Sequence, residues 1–254
     1  MNAVAVIPAR FAAVRFPGKP LADRTGRPMI QHVVEQVRRA QGVSRIIVAT
    51  DDERIAAAVR GFRGEVAMTR PDHVSGTDRV AEVAAGLDAD VVLNVQGDEP
   101  EMDPDNIDRL VNMMAADAEI AIGTVACPFP SDRPRSGPGS PADPNCVKAV
   151  LDRLGRAMYF SRGLIPFPRE SAGGVDDPAK WLLHLGLYGF RRETLLKLAH
   201  LRPSPVEMVE KLEQLRWLEN GHMVHVAIGS RPSAGIDTPE DYEGFVRRWQ
   251  ARPA

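Results

Sequence analysis

Cysteine is scarce in this chain: 254 residues contain only Cys127 and Cys146. They are too far apart for a CxxC pair and no histidine cluster flanks them. A disulfide framework and a structural zinc site are therefore excluded as organising features, and both residues are expected as reduced thiols in or near strands. An excess of one charge is missing too. The formal net charge is −2, with acids and bases interspersed. That leaves no basic tract for nucleic acid or an anionic membrane, so neither is expected as a partner. No apolar run approaches the ~20 residues that span a bilayer. The opening run Val4-Ala5-Val6-Ile7 has no basic segment before it and no cleavage site after it, which reads as a cytoplasmic protein. Neither a Walker A loop nor GxGxxG occurs, so neither a P-loop NTPase nor a dinucleotide oxidoreductase is implied. There is no internal repeat.

What is present suits an ordinary globule with a sizeable core: 44% of residues are hydrophobic and 26% charged. The first half alternates two patterns. Residues 3–7, 45–50, 65–68 and 91–95 are short apolar runs, expected as strands. Between them lie helical periodicities. One starts near Pro28, with Ile30, Val33, Val34 and Val37 on one face. A second follows a cap at Asp51 or Asp52. A third begins at Thr77 or Asp78, with Val80, Val83, Ala84 and Leu87 aligned, and Pro104 opens a fourth. Continuous apolar strands separated by amphipathic helices predict an α/β fold: a mostly parallel, doubly wound sheet of nucleotide-binding type. The second half is less regular. Residues 128–144, rich in Pro, Gly, Ser and Asp, predict a long surface loop, and residues 168–179 a second, mobile segment. Strands are expected at 146–151, 182–190 and 223–228, and helices at 206–218 and 239–249.

Two segments carry chemistry. Pro8, Ala9 and Arg10 follow the first strand, and Arg15 and Lys19 come soon after. The carboxyl end of a strand is where open α/β sheets bind ligands. Backbone amides, two guanidiniums and an ammonium are what a triphosphate needs. Asp98, in Gln96-Gly97-Asp98-Glu99-Pro100, directly follows a buried strand, a common place for a Mg²⁺ carboxylate. One carboxylate seldom completes such a site. Asp237 is the candidate second, with helix capping before Pro239 as its competing role.

Taken in order, these segments resemble the bacterial 3-deoxy-manno-octulosonate (Kdo) cytidylyltransferases. The opening IPAR-x5-R-x-PGKP pattern appears as Ile7-Pro8-Ala9-Arg10 and Arg15-Phe16-Pro17-Gly18-Lys19-Pro20, with Phe16 where leucine is usual. The similarity continues through residues 46–51, 68–79, 94–100, 159–162, 184–189, 203–205, 212–216 and 235–239. The 131–143 stretch is longer than usual. The resemblance implies a glycosyltransferase-A-like nucleotidyltransferase domain over residues 1–254. Its 1–127 half would bind nucleotide, and its smaller, irregular 128–254 half would bind sugar and form a homodimer. It implies CTP and Kdo as substrates, CMP-Kdo and pyrophosphate as products, and Mg²⁺ on Asp98 and Asp237. Arg10, Arg15 and Lys19 would hold the phosphates, and Arg70, Asp72, Ser75 and Gln96 would surround base and ribose, with His73 ranked behind Arg70 and Asp72. Arg162, His184, Tyr188, Glu213 and Gln214 would line the sugar site together with Gln96. The sugar's carboxylate calls for a cation, and Arg162 and His184 are the candidates. Taken singly, each sugar-site residue also has a plain reading: packing for His184 and Tyr188, a surface ion pair for Arg162, solvation for Glu213. Two other functions fit the same residues, a cytidylyltransferase for another acidic sugar and a nucleotide-binding module without turnover.

Overall fold

Uninterrupted aliphatic runs become buried strands because both their faces are covered. In the computed structural model, which describes residues 1–12 and 15–251, Ala13 and Val14 of the basic loop lie outside the described residues. The elements in chain order are β1 (Ala3–Ala9), α1 (Met29–Val37), β2 (Arg45–Thr50), α2 (Glu53–Gly61), β3 (Glu65–Met68), α3 (Gly76–Ala85), β4 (Val91–Asn94) and α4 (Pro104–Ala116). They continue as β5 (Ile122–Pro128), β6 (Lys148–Leu151), β7 (Ala157–Ser161), β8 (Leu182–Arg191), α5 (Arg192–Leu198), α6 (Pro205–Glu210), α7 (Gln214–Glu219), β9 (His225–Ile228) and α8 (Pro239–Gln250).

The chain divides into two compact units, Met1–Asp108 with Ser233–Ala254, and Arg109–Pro232. The expected halves, meeting after residue 127, are therefore corrected twice. The boundary falls inside α4, and the C-terminal segment returns to the first unit. Sequence periodicity has no access to such a return.

In the first unit the strands run β3-β2-β1-β4, all parallel; Val6 sits opposite both Ile47 and Asn94. All four carboxyl ends thus lie along one edge. Helix starts follow local side-chain chemistry. Asp52 caps α2 by accepting from the Arg54 N–H. Ser75 caps α3 in a reciprocal box with Asp78, so this helix begins before the expected Thr77. Pro28 is the N-cap of α1, outside its first turn. Ile236, Tyr242, Phe245 and Val246 pack with Met29 in one buried cluster. Each such side chain contributes roughly 1.5–3 kcal/mol on burial, which pins the C-terminal segment and with it Asp237.

The second unit spans residues 109–232 and is no small extension. Its strand β5 runs antiparallel to β8 and parallel to β9, while β6 pairs antiparallel with β7 and β8. The expected helix over 206–218 is two helices, α6 and α7, separated where Lys211 adopts a left-handed φ of 53°. The 128–144 loop is a built segment, with Ser140 fully buried and Asp143 nearly so. In the 168–179 stretch, Val175 packs with Phe129 and Trp181. Among the described residues no helix is long and apolar enough to cross a membrane.

Candidate active site

Two chain segments leave the sheet edge of the first unit side by side. The first continues from β1 into Pro8, Ala9 and Arg10; the second leaves β4 into Gln96, Gly97 and Asp98. They approach so closely that a Cβ on Gly97 would lie 2.5 Å from the Pro8 carbonyl oxygen. Only glycine fits there. These segments and the start of α3 enclose a cavity of about 380 Å³. Pro8, Ala9, Arg10, Arg15, Lys19, Ser75, Gln96, Asp98 and Asp237, all candidates named from the sequence, line it.

Lys19 is the hinge of the charge arrangement. Its side chain is 12% exposed, and Nζ donates to Asp98 Oδ2 at 2.9 Å and to the Ile236 carbonyl. Nζ also lies 3.8 Å from Asp237 Oδ1, while Arg15 Nη2 is 3.0 Å from Asp237 Oδ2. The Ile236 N–H donates to the Asp98 carbonyl at 2.9 Å, stapling the two acid-bearing segments. Two carboxylates from distant parts of the chain thus converge on one ammonium. The competing role for Asp237, capping α8, belongs instead to Thr238, whose hydroxyl accepts from the Asp241 N–H. Glu99 adds a brace, accepting from the Ser233 hydroxyl. Burial, reinforced by the neighbouring Asp98 charge, pushes its carboxyl up to about 8.

The fit to a divalent cation follows from this donor set. Among the described residues no group of three or more His, Cys, Asp or Glu side chains is poised for a metal. Mg²⁺, however, is commonly bound through one or two carboxylates, with waters and substrate phosphates completing the octahedron. Asp98 and Asp237, already facing one cation beside a basic loop, suit that pattern.

Two expectations for this unit change. Arg70 and Asp72 do not line the cavity; they stand about 70% exposed, 3.5 Å apart, as a surface pair. His73 and Arg79 line it instead. Arg79 is 5% exposed on its side chain, bonded to Thr69 and 3.1 Å from Asp51. Its place among the apolar residues of α3 carried no signal in the helical period.

The other expected residues, Gln96 aside, belong to the second unit. His184 and Tyr188 share a face of β8, ring centroids 5.3 Å apart. The register slips between Thr124 and Ala126, across a bulge in which Gly186 has a φ of 69°. Tyr188 also meets Trp217 edge-on, and burial, aided by the Glu213 charge, raises its phenol well above 10. At the start of α7, Gln214 is buried and Glu213, at the N-cap position, half-buried.

Neither residue proposed as the cation for a sugar carboxylate is simply available. The Thr124 hydroxyl donates to the Leu187 carbonyl at 2.7 Å, so its oxygen accepts from His184 Nε2 at 2.9 Å. That leaves Nδ1 unprotonated. Burial drives the imidazole down to about 3, so His184 is neutral near pH 7. Among the described residues Arg162 makes no ion pair. Its guanidinium donates to the carbonyls of Glu210, Pro144 and Lys211, using three of five N–H groups.

A depressed histidine pKa makes folding acid-sensitive. The unfolded imidazole binds a proton below about 6.5 and the folded one does not. The His184 contribution is therefore intact above that pH and is lost at roughly 1.4 kcal/mol per pH unit as pH falls toward 3. His184→Gln should shed that slope. Urea unfolding of parent and variant at pH 7 and pH 5 measures it; equal acid sensitivity of the two would refute the buried neutral imidazole.

Comparison with known proteins now bears on these two units. The cytidylyltransferase family profile matches residues 4–227. A 3-deoxy-manno-octulosonate cytidylyltransferase from Syntrophotalea carbinolica is 51% identical over 247 residues, 95% of this chain and 96% of that protein. One from Geobacter metallireducens is 47% identical, covering 98% of each. A CMP:2-keto-3-deoxy-manno-octonic acid synthetase solved with CTP superposes with a TM-score of 0.89 at 38% identity, over 98% of this chain and 99% of that one. Matches of this length and identity leave no unmatched segment large enough for a different fold, and the chain belongs to the family of 3-deoxy-manno-octulosonate cytidylyltransferases.

Proposed function

We propose that this protein transfers CMP from CTP to Kdo, releasing pyrophosphate and forming CMP-Kdo for lipopolysaccharide biosynthesis in the cytoplasm. The observation that carries the reading is the first unit's cavity, where Arg10, Arg15 and Lys19 face Asp98 and Asp237. The relative superposing at 0.89 was solved with CTP. The anomeric hydroxyl of Kdo attacks the α-phosphorus, the bond to the β-phosphate oxygen breaks, and pyrophosphate leaves. Negative charge grows on the leaving group and the non-bridging oxygens. Arg10 has no acid partner among the described residues and is open to phosphate. Lys19 and Arg15 are held in place by their carboxylates and add fixed positive charge. Positioning and preorganised electrostatics therefore supply the rate. Mg²⁺ bound by Asp98 and Asp237 would neutralise phosphate charge and orient the chain of phosphates. In the second unit, Tyr188, Glu213, Gln214 and the two remaining Arg162 N–H groups supply hydrogen bonds for a polyhydroxy acid, and His184 Nδ1 supplies an acceptor.

The deciding experiment is pyrophosphate release across a panel of nucleotides and acidic sugars. Release with CTP and Kdo above all other pairs is the expected result. A preference for amino-Kdo or a sialic acid would replace the sugar. Thermal stabilisation by CTP without release would leave a binding module. The protein is also expected to be a homodimer through its second unit, whose exposed Leu154, Met158 and Met223 offer apolar surface. Light scattering at micromolar concentration should give twice the 27.8 kDa chain mass; a monomer mass rejects it.

A further inference from the structure

A carboxylate in the last turn of a helix is unfavourably placed, because the orphan carbonyls there already carry partial negative charge. Helix α6 nevertheless ends on Glu210, and no basic residue stands in its last turn. The side chain finds its partners on another element. At the end of β7 the Ser161 hydroxyl donates to Glu210 Oε1 at 2.6 Å, and the Arg162 backbone N–H donates to Oε2 at 2.9 Å. The grip is returned. Arg162 Nε donates to the Glu210 carbonyl at 2.7 Å, and Nη2 donates to the Lys211 carbonyl at 3.5 Å. The guanidinium thus supplies the positive charge that the end of α6 lacks. Its Nη1 donates to the Pro144 carbonyl at 3.0 Å, and the Lys148 ammonium holds the Arg162 carbonyl at 2.8 Å. Both backbone polar groups of Arg162 and three of its guanidinium N–H groups are therefore committed. One N–H on each of Nη1 and Nη2 stays open.

The geometry points to Glu210 as a positioning residue of the sugar site: it holds the Arg162 backbone with its carboxylate and Nε with its carbonyl, and so fixes which N–H groups meet the sugar's carboxylate. This rests on the Kdo reading above and adds a residue that acts through Arg162. A free arginine side chain loses rotamer freedom when it orders on a ligand, and that loss costs affinity. A guanidinium ordered in advance avoids it. The role requires reach, because Ser161 and the Arg162 N–H must be met at once. It does not require charge. A negative charge beside Arg162 would repel an acidic sugar, so geometry is what accounts for a carboxylate here. Ser161 is 5% exposed, and a shorter side chain at 210 would leave its hydroxyl and the Arg162 N–H without their acceptors.

The test uses Glu210→Asp, Glu210→Gln, Arg162→Ala and the double variant Arg162→Ala/Glu210→Asp. Saturation by Kdo is read by pyrophosphate release and CTP affinity by calorimetry. Glu210→Asp keeps the charge but falls one methylene short of its donors. It should raise the Kdo concentration for half-saturation about tenfold, the scale of one lost hydrogen bond. Glu210→Gln keeps the reach and drops the charge. Its amide oxygen can accept from the Arg162 N–H and its amino group can donate to the Ser161 oxygen. Half-saturation should therefore stay within about threefold of the parent, as neutral hydrogen bonds replace charge-assisted ones. CTP affinity should hold in both. The double variant should be no worse with Kdo than Arg162→Ala alone, because Glu210 acts through Arg162. Parental Kdo saturation in Glu210→Asp, a loss in Glu210→Gln as large as in Glu210→Asp, multiplied losses in the double variant, or equal weakening of CTP and Kdo would each overturn the inference. A parent that prefers another acidic sugar would be tested in the same way with that sugar. A parent that releases pyrophosphate with no acidic sugar would instead fail the functional reading itself.

Discussion

Asparagine at position 98 is expected to lower pyrophosphate release by about 10²–10³-fold, the loss that follows removal of one preorganised group that stabilises developing charge. The same change at Asp237 should act alike. Asparagine keeps the size and one acceptor oxygen toward Lys19, so what is lost is the negative charge. Asp98 is about a third exposed and Asp237 about half. Exposed pairs of this kind contribute little to stability, so the thermal midpoint should stay near that of the parent. The alternative is that both acids serve only as counterions that hold Lys19. Divalent cations separate the two. If the acids carry Mg²⁺, chelation should silence the parent, Mg²⁺ should restore it, and each asparagine variant should need more Mg²⁺ to reach its own maximum. If they merely orient Lys19, the variants would share the parent's Mg²⁺ dependence. Near-parental turnover of either variant at low Mg²⁺ would remove that residue from the proposed metal site.

How much of this was legible in the sequence depends on the distance over which each feature is decided. The strands of the first unit are apolar runs bounded by polar residues, and β2 and β3 fall where the pattern places them. The acids at 98 and 237 could be named because each follows a strand at a position open to ligand. Their meeting on Lys19 depends on α8 packing against Met29, which no local pattern encodes. The second unit was harder to read. Strand β5, helix α5 and strand β7 went unassigned, since Gly123 and Thr124 interrupt the apolar run of β5 and Met158 faces solvent on β7. The break between α6 and α7 is a single left-handed residue, Lys211, a conformation that lysine seldom adopts and its sequence does not advertise. At the cavity, Arg70 and Asp72 drew attention by charge. His73, three residues beyond Arg70 and next to Asp72, lines the cavity, its ring held by Glu82 on α3.

Methionine in place of Lys148 should lower stability by roughly 2–4 kcal/mol, with the cost decided by the carbonyls it leaves behind. Lys148 is fully buried, and its ammonium donates to the carbonyls of Asp143, Cys146 and Arg162. A lysine within the apolar strand β6 is the sequence's only hint of this. Burial pulls its pKa below the ordinary lysine value, partly offset by Cys146, Asp143 and Glu210. The charged form still matches the site, because three acceptors meet three N–H donors and a neutral amine has only two. Methionine fills similar space and removes every donor. The Asp143 carbonyl keeps the Cys146 N–H as a partner at 3.1 Å. The carbonyls of Cys146 and Arg162 have no other partner among the described residues, and each buried orphan costs about 1–3 kcal/mol. Relief from burying a charge offsets part of that sum. For a chain of this size 1 kcal/mol moves the thermal midpoint about 2–4 °C, so a fall of roughly 5–10 °C is expected. Since Lys148 anchors the backbone at Arg162, the variant should also saturate poorly with Kdo while its CTP affinity holds. A midpoint within about 2 °C of the parent, on the same scale, would mean that water or a shifted backbone satisfies both carbonyls, and that Lys148 does not tie the 143–146 loop to the strand end carrying Arg162.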